Sequence, residues 1–364
     1  MMTEKAVSAF SEAEVRAFLN AGDRKERLEH LQCLLDAETE KPAVLPDLSN
    51  NHIHTTYSFS PYSPTAAVWF ARKAGLPVAG IMDHDSMGGA MEFRQAAEMC
   101  GVGSTCGFEA RISFAGTPFE DRRINNPDQN GVAYMTFHSV RKEFFEQVQA
   151  FLAPLREKRN QRNRAMIENI CRITDCKLNF EEDVLPISMY ADGGAVTERH
   201  LLFALTKKLL PEGTQEEQYK LLGKLKSELV PKFFIPADKE LVDLDTAVTF
   251  AKEIDAILCY AYLGDVTDSP TGDKSAAQYE DSYLPELMAF LKESGVHAVT
   301  YMPSRNTDLQ LDTVMKLCKE YDMTQISGED INSLGQSFIC EKLKQPSYRH
   351  LVDAAWMLVH REES

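Results

Sequence analysis

Two short stretches hold most of the residues that could do metal chemistry. His52 and His54 are separated by one residue. Side chains alternate in an extended chain, so both imidazoles project to the same side. A second cluster, Asp83-His84-Asp85, follows downstream. Histidine is the commonest metal ligand, and mixed imidazole and carboxylate shells suit Zn, Mn or Fe. A single His-x-His pair often only fills a loop, but two such clusters in similar surroundings indicate a metal site.

The two clusters can form one site only if the strands that precede or contain them bring them close together in space. Residues 78–82 form an apolar run that ends at Asp83, and residues 132–137 form another that ends at His138. In a parallel α/β barrel the carboxyl ends of the strands share one face, where active sites are built. The polar residues that follow apolar runs in this way are Asp83 to Asp85, Glu109, His138, and Gly328 to Asn332. This placement predicts a barrel with its site at that face.

The alternation of helical and strand patterns divides the chain into segments. Apolar runs alternate with helical patterns on both sides of a long central stretch that is helical throughout. A length of 364 residues suggests two domains or one large barrel with insertions. The predicted segments are a helical extension over 1–47, a first barrel part over 48–140, a helical insertion over 141–235, a second barrel part over 236–345 and a C-terminal helix over 346–364.

Composition excludes several classes of protein. A formal charge of −16 argues against a general nucleic-acid surface, which would be basic. Eight cysteines without a CxxC pair indicate free thiols in a reducing cytoplasm. The N-terminus shows no secretion signal, and no apolar run reaches the ~18 residues that a membrane span needs. The negative charge does not exclude a small anionic substrate held by a metal, and the oligomeric state stays open.

Arginines on two predicted helices and after one strand are candidate anion contacts. The basic stretch 156–164 is either a solvated helix face or a patch that faces phosphate. Thr197 is the N-cap of a helix that carries Arg199 and His200. His200 could be a ligand, a substrate contact or a half-buried histidine. Arg199 and Arg305 could anchor phosphate through their planar forks or form surface salt bridges.

Taken together, these motifs resemble the PHP (polymerase and histidinol phosphatase) family of metal-dependent phosphoesterases. The resemblance covers roughly residues 48–335 in the family's order. It is carried by His52-Ile53-His54-Thr55, Met82-Asp83-His84-Asp85-Ser86, Gly107-Phe108-Glu109, His138, Arg159 to Arg164, Thr197-Glu198-Arg199-His200 and Gly328-Glu329-Asp330.

The resemblance implies a distorted (β/α)7 barrel with up to three metals at the carboxyl face of the strands. The first metal would be held by His52, His54, Glu109 and Asp330. Glu109 would also bridge to a second metal with His138. His84 would belong to a third.

Four departures from the family pattern lower the expected number of metals. Asn50 replaces the first aspartate, and the aspartate after His-x-His-Thr is expected at Ser60. Tyr262 and Asn332 stand where the family has histidines. Neutral serine and asparagine oxygens bind Zn or Mn poorly. We therefore expect one tight and one weaker metal, with Tyr262 as a phenolate or His200 filling the second set.

The function that the resemblance implies is hydrolysis of a small phosphorylated substrate, a metabolite or a nucleotide, by a metal-activated water. Asp330 or His84 would move the proton, and Asp83 and Asp85 would orient the imidazoles. Two other functions stay open on sequence grounds. The protein could hydrolyse another bond, as related amidohydrolases do. It could also be a non-catalytic metal-binding protein in which Ser60, Tyr262 and Asn332 have replaced the family's ligands.

Overall fold

A computed structural model describes residues 10–265 and 279–364 of the chain. Residues 1–9 of the predicted extension and residues 266–278 of the predicted second barrel part lie outside the described residues. One curled sheet follows the order β1-β2-β3-β4-β6-β7-β8, with β5 paired to β3. The strands are β1 (Asn50–Ile53), β2 (Val78–His84), β3 (Gly103–Ser113), β4 (Val132–His138), β5 (Val242–Asp243), β6 (Ile257–Tyr262), β7 (Ala298–Tyr301) and β8 (Thr324–Ser327).

Helices surround the sheet, and the fold is the expected α/β class with a distorted PHP-type barrel. Several helices begin at a capping residue: Ser11 forms a capping box with Glu14, and Ser63 caps the helix that starts at Pro64. The α-helices are α1 (Glu12–Asn20), α2 (Arg24–Asp36), α3 (Pro64–Lys73), α4 (Ala90–Cys100), α5 (Phe145–Thr174), α6 (Glu198–Leu209), α7 (Gln215–Phe233), α8 (Leu244–Glu253), α9 (Leu284–Glu293), α10 (Asp308–Glu320) and α11 (Arg349–Glu363).

The two edges of the sheet approach each other at the segment that follows β8. Ile53 and Ile331 form a parallel bridge. The amide of His54 donates to the carbonyl of Ile331 over 3.0 Å, and the amide of Ile331 donates to the carbonyl of His52 over 3.2 Å. This bridge brings Asp330, which is distant in sequence, beside the His-x-His motif.

Strand β4 runs against its neighbours. It pairs antiparallel with both β3 and β6, whereas the other pairs in the sheet are parallel. His138 therefore lies opposite Ile257, where β6 begins. The expectation that His138 leaves its strand on the common face is wrong. The connection from β3 to β4 contains no helix, whereas a parallel crossover usually has one.

The two N-terminal helices pack into the main core of the barrel. Leu31 and Leu34 of α2 are fully buried in that core. The guanidinium of Arg27 forms two hydrogen bonds with Glu92 of α4, over 2.8 and 2.6 Å. Asn20 holds the loop after β1 at two points, because it donates to the Pro61 carbonyl and accepts from the Ser63 amide, each over 2.8 Å. The extension thus supports the loop that carries His54.

The central helices α5, α6 and α7 build a separate apolar cluster with Phe59. Met166, Leu201, Leu205 and Leu222 are buried in it. The extra helices therefore have a core of their own beside the barrel. Within 10–265 and 279–364, no helix is long and apolar enough to cross a membrane.

Candidate metal centre

Three buried side chains at β1 and in β3 meet in space. The ligand atoms of His52, His54 and Glu109 all lie within 4.8 Å of one another. His52 lies in β1, His54 follows that strand, and Glu109 is in the middle of β3. Such a group of imidazole nitrogens and a carboxylate oxygen is a suitable donor set for Zn, Mn or Fe.

Two further residues adjoin this group. Nδ1 of His84 lies 2.9 Å from Oε2 of Glu109, because β2 and β3 pair His84 directly with Glu109. Oδ1 of Asp330 lies 3.2 Å from Nε2 of His54. The structure thus brings together the four residues that the resemblance assigns to a first metal, together with His84.

The charges of the two carboxylates suit a cation. Burial alone would raise the pKa of Glu109, but the charge and hydrogen bond of His84 outweigh it and lower the pKa to about 2. Burial likewise opposes ionisation of Asp330, yet the hydrogen bond and charge of His54 hold the pKa of Asp330 well below its usual value. Both carboxylates are therefore ionised near neutral pH.

Asp83 lies behind the histidines and fixes the loop that carries one of them. Its carboxylate accepts hydrogen bonds from the amide of Thr55 over 2.7 Å, the hydroxyl of Thr55 over 2.6 Å and the hydroxyl of Ser58 over 2.5 Å. Ser58 Oγ in turn lies 3.1 Å from Nδ1 of His54. Asp85 has a different partner, because its carboxylate accepts a hydrogen bond from Arg159.

Two asparagines that depart from the family pattern make hydrogen bonds to the backbone and to Asp330. The amide of Asn50 accepts from the backbone of His52 and Glu329 and donates to the Glu329 carbonyl over 3.1 Å. An aspartate could not make that last bond. Asn332 donates to Oδ1 of Asp330 over 2.6 Å. It thus holds a candidate ligand in place.

The residues at the other departures face different surroundings. The hydroxyl of Tyr262 donates to Asp281 over 2.6 Å, and burial together with Asp281 raises the pKa of Tyr262. Tyr262 is therefore a neutral phenol in this arrangement, at the cavity wall. Ser60 Oγ accepts the amide of Tyr62, and the neighbouring Phe59 lines the cavity instead. Phe59 holds a left-handed φ of 88°.

Neither His138 nor His200 is among the residues that line the cavity. Nε2 of His138 is buried without a hydrogen-bond partner among the described residues, and burial lowers the pKa of His138 to about 3. His200 accepts the amide of Thr197 with Nδ1, and its ring packs edge-on against Phe59 at a centroid distance of 5.0 Å. Their assignments to a second metal and to the substrate stay predictions.

The cluster opens into a cavity whose wall combines charged and apolar side chains. Arg199 and Arg305 line it, and each also donates to a backbone carbonyl, that of Asn332 and that of Leu263. Further lining residues are Phe59, Arg111, Tyr134, Arg159, Glu198, Leu202, Val230 and Phe234. The wall can therefore contact both an anion and an apolar group.

Arg111, Tyr134 and Glu198 are wall residues that the sequence reasoning missed. Arg111 is bound to Glu198 over 2.9 Å and pairs with Tyr134 across β3 and β4. Arg111 lies two residues after Glu109, so both side chains share one face of β3. That spacing was a usable signal for Arg111. Tyr134 could be recognised only once the direction of β4 was known.

Comparison with known proteins agrees with this geometry. The model of the PHP domain matches residues 50–231, which is half of the chain. A search of curated proteins found no match. A Bifidobacterium adolescentis structure with a provisional assignment as a metal-dependent phosphoesterase has a TM-score of 0.58 at 19% identity, covering 84% of this chain and 95% of its own.

A second solved structure has the same overall fold. It is an amidohydrolase from Chromobacterium violaceum with bound sulfate and no metal, with a TM-score of 0.58 at 15% identity, covering 84% of this chain and 96% of its own. At these identities the two structures support the fold alone. The match to the family model over residues 50–231 is the stronger finding. On that basis, the chain belongs to the PHP domain family.

Proposed function

We propose that this protein is a metal-dependent phosphoesterase that acts on a small phosphorylated metabolite or a nucleotide. The observation that carries the proposal is the convergence of His52, His54 and Glu109, with Asp330 at 3.2 Å from His54. These residues come from three distant parts of the chain and adjoin a cavity lined by arginines.

The donor set fits a divalent metal, since it combines imidazoles with two ionised carboxylates. A bound Mn, Zn or Fe ion supplies hydroxide near neutral pH and polarises a phosphoryl oxygen. We propose His52, His54, Glu109 and Asp330 for one tight ion. His84 adjoins Glu109 and is the candidate ligand for a weaker second ion, whereas His138 lies off the cavity and Tyr262 is a neutral phenol bound to Asp281. The aromatic ring of Phe59 offers no donor for a third.

The remaining residues would bind the substrate and move protons. Arg199 and Arg305 are the proposed phosphate anchors, because both residues line the cavity and a guanidinium group suits phosphate oxygens. Arg111 and Arg159 are already engaged with Glu198 and Asp85. Asp330 or His84 would accept the proton of the attacking water or give one to the leaving group. The side chain of His84 is 29% exposed and so can be reached from the cavity.

Apolar side chains of the wall favour a substrate with an apolar part beside its phosphate. Leu202, Val230 and Phe234 come from the helical segment that covers the barrel, and Phe59 comes from the loop after β1. A nucleotide or another aromatic phosphate ester matches such a wall. The eight cysteines are free, in keeping with the reducing cytoplasm that we propose as its location.

One experiment tests the function directly. The metal content of the purified protein is measured, and phosphomonoesters, phosphodiesters and amides are assayed with Mn, Zn and Fe. We expect turnover of a phosphate ester that is lost in Asp330→Asn and kept in Asp312→Asn, an exposed aspartate on α10. Bound metal without turnover of any compound would favour the binding protein, and turnover of amides alone would favour amidohydrolase chemistry.

A further inference from the structure

A single serine hydroxyl lies between the carboxylate of Asp83 and the ring of His54. Ser58 Oγ is 2.5 Å from Oδ1 of Asp83 and 3.1 Å from Nδ1 of His54. All three residues are buried, with exposed fractions of 2% for Ser58, 1% for Asp83 and 2% for His54. Water therefore does not compete for these hydrogen bonds.

The donors and acceptors in this group leave one arrangement. Asp83 Oδ1 faces the Thr55 amide and the Ser58 hydroxyl, and Oδ2 faces the Thr55 hydroxyl. A carboxylate only accepts, so Ser58 donates its single proton to Asp83. Ser58 can then only accept from His54. The proton of the neutral imidazole must therefore be on Nδ1, and the lone pair on Nε2.

The direction of this lone pair connects the arrangement to the metal centre. Nε2 of His54 is the atom that lies 3.2 Å from the carboxylate of Asp330. When His54 carries a second proton, Nε2 donates it to Asp330, and a bound metal would take the place of that proton while Nδ1 keeps its own. A second hydrogen bond on the far nitrogen is the usual way in which proteins orient a ligating imidazole and increase its basicity.

A backbone hydrogen bond also helps to hold Ser58 in this position. The amide of Ser58 donates to the carbonyl of Thr55 over 3.0 Å, which closes a turn within the loop. The Thr55 amide is itself bound to Asp83. One carboxylate thus fixes both the loop and the hydroxyl that it carries.

We propose that Ser58 is a positioning residue that transmits the charge of Asp83 to His54. It holds His54 in the form protonated at Nδ1, with Nε2 presented to the metal. This inference rests on the metal binding assumed in the proposed function, but not on any particular reaction.

The test measures the tautomer of His54 and the affinity for zinc, without any substrate. Protein labelled with ¹⁵N-histidine is loaded with Zn²⁺, and long-range ¹H–¹⁵N spectra report which nitrogen of His54 carries the proton. The signal is assigned by its loss in His54→Gln. We expect the proton on Nδ1. A proton on Nε2 would overturn the proposal, and this result needs no variant at Ser58.

Variants then test the transmission. We expect Ser58→Ala to weaken Zn²⁺ binding about 10- to 100-fold, as loss of such an orienting contact does. Ser60→Ala is the matched control, because its hydroxyl lies in the same loop and, among the residues that the structure describes, accepts the Tyr62 amide and not a metal-site residue. In Asp83→Asn the side-chain amide can donate to Ser58, so Ser58 can donate to His54 and shift its proton to Nε2. Wild-type Zn²⁺ affinity in Ser58→Ala would contradict the proposal.

The outcome can be separated from that of the proposed function. If no phosphate ester is hydrolysed but the His54 tautomer and the Zn²⁺ affinities are as expected, the proposed phosphoesterase activity is wrong and the proposed role of Ser58 stands. If a phosphate ester is hydrolysed but Ser58→Ala binds Zn²⁺ as tightly as the wild type, the phosphoesterase activity is supported and the role of Ser58 is wrong.

Discussion

His200 closes the first turn of α6 by accepting the backbone amide of Thr197 with Nδ1 over 3.0 Å. Burial is the main reason that the pKa of His200 falls to about 3, and the charge of Arg159 lowers it further. The ring is therefore neutral in the folded protein. This contact gives His200 a structural role at the start of its helix.

The buried neutral state of His200 makes the folded protein sensitive to acid. An unfolded histidine titrates near 6.5, so between about pH 6.5 and the folded value of about 3 the unfolded chain binds one more proton. The free energy of unfolding then falls as pH falls, by up to about 1.4 kcal/mol per pH unit from this residue. Urea unfolding of the metal-free protein at pH 7, 6 and 5 measures the slope.

The matching variant is His200→Gln, since glutamine also completes a capping box at this position. We expect the free energy of unfolding of this variant to change less steeply with pH, by the equivalent of about one proton. His297→Gln, at an exposed histidine, should keep the wild-type slope. An unchanged slope in His200→Gln would show that His200 is not the group that resists protonation.

The buried pair between Arg27 and Glu92 should be important for stability. Arg27→Met leaves the carboxylate of Glu92 buried with only the hydrogen bonds from Thr65. Breaking a buried pair on one side typically costs about 3–5 kcal/mol. Urea unfolding should show a loss of this size. Lys25→Ala, which removes an exposed pair with Glu29 on the same helix, should be nearly neutral. Equal effects would mean that the buried pair contributes little.

Gly107 should tolerate no side chain. A Cβ there would lie 2.4 Å from the carbonyl oxygen of Phe137 and 2.7 Å from Cε of Met82. Gly107→Ala should push β3 away from β4, lower the free energy of unfolding and weaken metal binding at Glu109. Gly223→Ala in α7 meets no atom within 4 Å and should stabilise by up to about 1 kcal/mol. Thermal unfolding and Zn²⁺ titration distinguish the two, and a harmless Gly107→Ala would contradict the close strand contact.

Asn332 should contribute to metal affinity without being a ligand. Asn332→Ala removes the donor that holds Oδ1 of Asp330 at 2.6 Å. We expect about a tenfold loss of Zn²⁺ affinity, measured by calorimetry. Ser337→Ala, on the same loop, should leave the affinity unchanged. A loss of all binding in Asn332→Ala would instead indicate direct coordination.

Phe234 should affect substrate choice more than rate. Phe234→Ala removes apolar surface from the cavity wall and should raise KM for an aromatic phosphate ester, with kcat little changed. For methyl phosphate, which has no ring, neither constant should change much. A fall in kcat for both substrates would place Phe234 in the support of the metal centre.

The sequence predicted those features that depend on local patterns. The apolar run 78–82 lies in β2 as expected, and the stretch 141–235 that was predicted to be helical contains α5, α6 and α7. The convergence of His52, Glu109 and Asp330 was implied by the resemblance to the PHP family, since Glu109 lies in the middle of β3 and not at a strand end. The two predictions from local patterns needed only the period of a strand or a helix.

Features that depend on chain direction or on loop geometry were not predictable in this way. An apolar run such as that before His138 reads the same in a parallel and an antiparallel strand, so the direction of β4 was missed. The loop after β1 turns so that Phe59, rather than Ser60, lines the cavity, and that turn requires a left-handed φ at Phe59. Such a conformation is rare outside glycine, so sequence patterns give little warning of it.

The packing of α1 and α2 has a practical consequence for anyone who shortens this protein. A fragment that begins at residue 48 would expose the apolar surface against which Leu31 and Leu34 pack. It would also leave the buried carboxylate of Glu92 without the guanidinium of Arg27. It would also remove the hydrogen bonds of Asn20 to the backbone of Pro61 and Ser63. Such a truncation would be expected to aggregate or to lose metal, so expression boundaries belong upstream of Glu12.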